Sequence, residues 1–264
     1  MPNLTETQTK HPSSSQKHST KNLPKTQTQS NTRRCKGLIF GPPKHGKTHL
    51  IGTAAHDERT SPCAGIDFEG GMTDVLETMP GWGTEFVHIP IHSWEDFNDA
   101  YERLRSNDEG FKSVAIDSLS ETHIFALMNL LNDGKPSRER EPDLIQQGDY
   151  GVGLVQLRRL VRYFRDLPLH VFYTAHHKDD VDPREGLIKT VNLAGKAAIE
   201  IPGLMSLVGY LALSQSEEGE TQRILLLKNY PKFRVGVRSG WGIEAPDEIE
   251  APTVTKILDT LQYG

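Results

Sequence analysis

Cysteine is almost missing from this chain. Only Cys35 and Cys63 occur, with no metal-ligand spacing. Their scarcity excludes a disulfide scaffold and a cysteine-built zinc centre, and it suits a reducing cytoplasm. Long apolar runs are missing as well. No stretch of about 18 apolar residues occurs, so no membrane-spanning helix is expected. The N-terminus lacks the apolar core of a secretory signal. It also lacks aliphatic anchors: the first residues are rich in Ser, Thr, Gln, Asn and Lys, with only Leu4 and Leu23 among them. Such a segment cannot bury enough surface to offset its ordering entropy. Residues 1–34 are therefore expected as a disordered basic tail, and residues 35–264 as one α/β domain with a sizeable core.

Acidic charge is equally scarce in that tail. Residues 1–36 hold seven Lys/Arg against the single Glu6, a balance of +6. The whole chain carries −5, which leaves −11 for the remainder. A basic tail adds non-specific affinity for nucleic acid, or simply solubility.

What the chain does contain is Gly41-Pro42-Pro43-Lys44-His45-Gly46-Lys47-Thr48, a full match to G-x-x-x-x-G-K-[ST]. The apolar run Gly37–Phe40 precedes it and a helix is expected over Thr48–Ala55. That strand–loop–helix context is what the phosphate-binding loop requires. Its backbone N–H groups surround nucleotide phosphates, Lys47 reaches the β- and γ-phosphates, and the Thr48 hydroxyl ligates Mg²⁺. ATP and Mg²⁺ are the cofactors expected.

Beyond it, apolar runs alternate with helical stretches, which predicts a mainly parallel central sheet flanked by helices. Strands are expected at Gly37–Phe40, Ala64–Phe68, Phe86–Ile89, Ser113–Ile116 and Leu169–Ala175. Ser93 with Asp96 predicts a capped helix whose apolar face is Trp94, Phe97, Tyr101 and Leu104. A second helix is expected to bury Leu119, Ile124, Leu127, Met128 and Leu131. A third is expected from Gly151 to Leu167, stopped by Pro168. Asn132–Tyr150 and His176–Pro202 read as polar connections. Leu207–Leu213, Arg223–Lys228 and Phe233–Val237 have the spacing of antiparallel strands, followed by a terminal helix, Val254–Leu261.

Three carboxylates and a histidine carry the chemistry. Val114-Ala115-Ile116-Asp117 is an apolar strand ending in an acid, the Walker B pattern, and Asp117 is expected to hold Mg²⁺. An Asp there also caps helices, so the pattern leans on the upstream loop. Ser118 follows it where many AAA+ ATPases have a glutamate, so a general base must come from elsewhere. Glu69, just past the strand Ala64–Phe68, stands at the edge where parallel sheets bind ligands. It is the expected base, with Glu121 as the fallback. His176, at the end of Leu169–Ala175, is a candidate sensor of the terminal phosphate.

These residues resemble the RecA-like ATPases. The likeness rests on Gly41–Thr48, Ile66-Asp67-Phe68-Glu69, Ala115-Ile116-Asp117-Ser118 and Phe172-Tyr173-Thr174-Ala175-His176. The order, and Asp-Ser after the Walker B strand, look like the RecA/RadA/KaiC branch. The small size and Asn192-Leu193-Ala194-Gly195-Lys196 look like compact phage-encoded RecA-like proteins of single-strand annealing and recombination. The resemblance implies a glutamate base at Glu69 and a phosphate-sensing residue, usually Gln, where this chain has His176. It implies DNA contact through two loops, whose cations here are Lys135, Arg138 and Arg140, then Lys178, Arg184, Lys189 and Lys196. It implies an ATP site completed by a neighbouring subunit, with Lys228, Lys232 and Arg234 as candidates. The partners implied are single-stranded DNA, further copies in a ring or filament, and a single-strand-binding protein, in a bacterial or phage-infected cytoplasm without a membrane.

The expected activity is thus DNA-stimulated ATP hydrolysis. Two alternatives stay open at this level. One is a P-loop nucleotide kinase or phosphotransferase, with Arg138 and Arg140 in a lid. The other is a nucleotide-switched loader that hydrolyses little.

Overall fold

A run such as Val114-Ala115-Ile116, apolar at every position, can only be satisfied by burial on both faces of a sheet. The computed structural model shows how the chain achieves this; it describes residues 33–132, 147–215, 219–240 and 242–264, with the side chains of 130–132 and 147–150 excepted. Five strands run parallel: β1 (Lys36–Gly41), β2 (Cys63–Asp67), β3 (Phe86–Pro90), β4 (Ser113–Asp117) and β5 (His170–Asp182). A hairpin strand, β6 (Gly186–Val191), returns along the far end of β5. Then come β7 (Leu207–Gln215), parallel to β1, and the antiparallel β8 (Thr221–Leu226), β9 (Gly236–Val237) and β10 (Glu248–Glu250). The sheet order is β10-β8-β7-β1-β5-β4-β2-β3, with β6 on β5 and β9 on β7. The expected α/β sheet, parallel at its centre and antiparallel toward the C-terminus, is what forms.

Alternation along each strand divides the core in two. Leu38, Phe40, Val114, Ile116, Val171 and Tyr173 face one layer, built from α3 (Trp94–Ser106), α4 (Leu119–Asn132) and α5 (Gln147–Asp166). Ile39, Ala115 and Phe172 face the other, built from α1 (Lys47–Gly52), α2 (Met72–Leu76) and α7 (Val254–Leu261). The short α6 (Ala197–Glu200) joins the first layer. The ends of these helices are set by local chemistry. Asp96 N–H donates to Ser93 Oγ at 3.0 Å, and Ser93 N–H donates to Asp96 Oδ2 at 2.7 Å, the expected capping box. Lys256 N–H donates to Thr253 Oγ1 at 3.1 Å and opens α7, where Val254, Ile257, Leu258 and Leu261 form the buried stripe.

Several expectations are corrected. The helix after the phosphate loop ends at Gly52 and passes into a 3₁₀ turn, Thr53–His56. α5 starts at Gln147, inside the stretch read as a connection. His176–Pro202 is no open loop: β5 runs on to Asp182 and pairs with β6, so the second connection is largely a hairpin. Phe233–Val237 contributes only Gly236–Val237 as strand, and β10 and α2 were not foreseen. On α4, Ile124 and Met128 are 42 % and 53 % exposed, while Leu119, Thr122, His123, Ala126 and Leu127 are buried. Polar Thr122 and His123 face inward: the Thr122 hydroxyl donates to the Ser118 carbonyl at 2.7 Å, and burial holds the His123 imidazole below its usual pKa. No helix among the described residues is long and apolar enough to cross a membrane.

Candidate active site

The sheet order brings β1, β5, β4 and β2 side by side, so their C-terminal ends form one edge. Ligands bind at that edge in open parallel sheets. β1 delivers the loop Gly41–Thr48. A Cβ on Gly41 would stand 2.6 Å from the Leu211 carbonyl oxygen, so only glycine lets β1 lie this close to β7 at the loop's first residue. Gly46 has φ 89°, a conformation open to glycine, and its carbonyl accepts from Leu50 N–H at 2.9 Å to begin α1. The Lys47 ammonium turns into the loop and donates to the carbonyls of Gly41 (3.2 Å) and Pro42 (2.8 Å). Burial lowers its pKa, while the neighbouring Asp117 and Glu69 carboxylates oppose that shift. Pro43, Lys44 and His45 form the outer crest of the loop, with the His45 Nδ1 3.0 Å from the Pro43 carbonyl.

β4 ends in Asp117, whose side chain is buried. Its Oδ2 accepts from the Thr48 hydroxyl at 2.6 Å, and its Oδ1 accepts from the Thr174 hydroxyl of β5. Burial pushes the carboxyl pKa up, and these two hydroxyls pull it back. β5 lies between β1 and β4, so Thr174 is the natural bridge between the loop strand and the acidic strand. Thr48 Oγ1 and Asp117 Oδ2 are two hard oxygen donors side by side, which is the donor set Mg²⁺ takes from a protein when phosphates and water supply the rest. Among the described residues no cluster of three or more His, Cys, Asp or Glu side chains could hold a metal ion unaided.

β2 ends in Asp67, and the turn beyond it carries Glu69. Asp67 Oδ1 accepts from the N–H groups of Glu69 (3.1 Å) and Gly70 (2.8 Å), and Oδ2 accepts from Met72 N–H at 3.0 Å. His88 Nε2 lies 3.1 Å from the same Oδ2. A buried acid thus ties the Glu69 turn to β2. Glu69 Oε1 accepts from the Ser118 hydroxyl and lies 3.2 Å from His176 Nε2. Both contacts fall on one oxygen; Oε2 has no partner among the described residues. Ser118 is therefore no passive replacement for an acid, because it holds the acid that β2 supplies. The His176 backbone N–H donates to Ser120 Oγ at 3.1 Å, and its carbonyl accepts from Asn192 N–H at 2.8 Å. His176 thus links the Glu69 cluster to the base of the β5–β6 hairpin.

The structure gathers Lys47, Thr48, Asp117, Glu69 and His176 at one edge, with Ser118 and Thr174 added. Neither addition carried a role in the sequence reading, although a Thr inside the apolar run of β5 was the available signal. The fallback acid Glu121 makes its backbone contact to Ser118 Oγ at 3.4 Å, one turn into α4. The other candidates are scattered. Lys135, Arg138 and Arg140 lie outside the described residues. In the hairpin, the Lys178 ammonium donates to the Leu193 carbonyl at 2.6 Å and Lys189 pairs with Asp179 at 2.8 Å, whereas Arg184 is exposed; Lys196, beyond the hairpin at the start of α6, is exposed as well. Lys228 stands 3.7 Å from Glu244 and 3.9 Å from Asp247. The Lys232 carbonyl accepts from Lys189 N–H at 2.7 Å. Arg234 is paired with Glu185 at 2.9 Å and with Asp182, both on the hairpin.

No curated protein matches the chain. The family model of an AAA domain matches residues 33–239, from the start of the described residues through β9. A loop built for phosphate, an acid beside its threonine and a parallel sheet around both are what that family's nucleotide-binding ATPases require, and with most of its length matched the chain belongs to the AAA domain family.

Proposed function

We propose that the chain is an ATPase of RecA type that acts on single-stranded DNA in recombination, annealing or repair. The observation that carries the reading is the Glu69–Ser118–His176 cluster beside the Lys47 loop and the Thr48–Asp117 pair. Phosphates entering the loop replace the Gly41 and Pro42 carbonyls as partners of Lys47, which moves its charge onto the transferring group. Thr48 and Asp117 would hold Mg²⁺, which would neutralise phosphate charge there. Glu69 Oε2, free of other partners among the described residues, accepts the proton of a water as its oxygen bonds the γ-phosphorus. The bond to the β–γ bridging oxygen breaks and ADP leaves. Ser118 and His176 hold Oε1, so the carboxylate keeps one orientation.

His176 supports the link to DNA. It touches the base, and β5 carries on from it into the hairpin that bears Lys178, Arg184 and Lys189. A change at the terminal phosphate thereby reaches a polar hairpin beyond the parallel strands. ATP turnover measured with and without single-stranded DNA tests the proposal. Stimulation is the expected result. Phosphate transfer to a second nucleotide would instead indicate a kinase, and binding without turnover a loader.

A further inference from the structure

The terminal phosphate end of the site is defined by Asp117 on β4 and Glu69 after β2, and both strands lie on one side of β1 in the sheet order. On the other side of β1 stand β7 and β8. A nucleotide whose γ-phosphate faces Glu69 therefore directs its α-phosphate and nucleoside toward β8. There the structure places Arg223. Its Nε donates to the His45 carbonyl at 3.1 Å, and a Cβ on Gly46 would lie 2.4 Å from Nε and 2.9 Å from Cζ. The guanidinium rests on the outside of the phosphate loop. After burial, its charge is the next cause that holds the His49 imidazole below its ordinary pKa, so it also faces the first turn of α1. Arg223 is exposed and forms no ion pair among the described residues. One N–H is used on the loop, and the rest of the guanidinium fork is available to a ligand.

We propose that Arg223 is a nucleotide-binding residue acting within its own chain. It grips the α-phosphate and sugar half of the nucleotide, and so distinguishes a nucleotide from bare polyphosphate. The inference rests on the ATP-site reading above. An arginine suits the role because its planar fork pairs two phosphate oxygens at once and stacks on flat groups. It differs in kind from Lys228, Lys232 and Arg234, because it already touches the loop in cis.

Calorimetric titration of ATP, ADP and inorganic pyrophosphate, each with Mg²⁺, tests this on the wild-type chain, Arg223→Ala and Arg223→Lys. The alanine variant should bind ATP and ADP about tenfold more weakly, as expected for loss of a charged hydrogen bond, and pyrophosphate within about twofold of wild type. The lysine variant should fall between, since it keeps the charge and loses the fork. An equal loss for ATP and pyrophosphate would show that Arg223 merely braces the loop, and unchanged ATP affinity would show that it does nothing for the ligand; either overturns the proposal. Wild-type protein that binds none of the three would overturn the ATP-site reading itself, a distinct outcome. Thermal midpoints of the unliganded variants confirm that the exposed substitution leaves the fold intact.

Discussion

Glu69 has one carboxylate oxygen held by Ser118 and His176 and the other without a partner among the described residues. Glu69→Gln keeps the size and the contact to Ser118 but cannot accept a proton. ATP should bind to this variant with nearly unchanged affinity, while turnover falls by about 10²–10⁴-fold. Lys47→Ala differs in kind, because it removes the cation that meets the phosphates and should weaken binding itself. Full turnover by Glu69→Gln would move the base elsewhere, with Glu121 next in line. A second residue-scale consequence lies at the opposite edge of the sheet. The His170 imidazole is buried at the start of β5, where Cys35 N–H donates to its Nδ1 at 3.2 Å. Nδ1 is thus the acceptor, and protonating it breaks this bond. Burial, with the Arg34 charge nearby, holds the pKa at about 4 against an ordinary 6.5. The unfolded chain binds this proton as pH falls below about 6.5 and the folded chain does not, so stability is full above that pH and is lost toward pH 4. The loss is on the order of 3 kcal/mol for this group. His170→Asn keeps an acceptor for Cys35 and cannot titrate in this range. Urea midpoints between pH 7 and pH 5 should fall for the wild type and flatten for the variant; parallel slopes would remove His170 as the cause.

At the scale of elements, α4 shows where a sequence misleads and why. Its apolar residues suggest a stripe through Ile124 and Met128, yet the buried face runs through Leu119, Thr122, His123, Ala126 and Leu127. Hydropathy alone puts Thr122 and His123 in water; only the Ser118 carbonyl that Thr122 meets makes its burial affordable. Leu127→Ala should therefore cost about 2–5 kcal/mol, as for a buried leucine, and Ile124→Ala well under 1 kcal/mol. Comparable losses from the two, read by denaturant midpoints, would mean that the helix is rotated from this face. The same logic explains what was legible elsewhere. The phosphate loop, the Asp117 strand and the Glu69 turn are short local patterns, and their strand–loop context is written within a few residues. The capping box at Ser93 and the stripe of α7 are local as well. Thr174, Ser118 and Arg223 depend on which strands become neighbours. β5 must enter between β1 and β4 before Thr174 can reach Asp117, and β8 must reach the loop before Arg223 can touch His45. The β5–β6 hairpin is hidden because its run of charged side chains from Lys178 to Glu185 reads as a polar connection, whereas the backbone ladder and the Lys189–Asp179 pair hold it as strands.

For the whole molecule, charge is divided between the polar tail and the rest of the chain. The described hairpin pairs Lys178 with a carbonyl and Lys189 with an acid, leaving its Arg184, and Lys196 beyond it at the start of α6, as the exposed ones named for DNA. The tail, by contrast, carries Lys10, Lys17, Lys21 and Lys25 against Glu6 before Arg33 is reached. If the chain binds single-stranded DNA, part of its salt-dependent affinity should come from those four lysines. Each phosphate neutralised on a single strand contributes about 0.7 to the slope of log K against log salt, so removing residues 1–32 should lower that slope by at most about 3. The deletion starts before Arg33, which donates to the Leu261 carbonyl at 2.9 Å and so belongs to the fold. ATP turnover without DNA should stay as in the full chain, since Lys47, Asp117 and Glu69 all lie beyond the cut. Binding at low salt should weaken, and the two proteins should converge as salt rises and screens the added contacts. An unchanged slope would assign the DNA contacts to residues 33–264 alone; lost turnover would show that residues 1–32 are needed for hydrolysis.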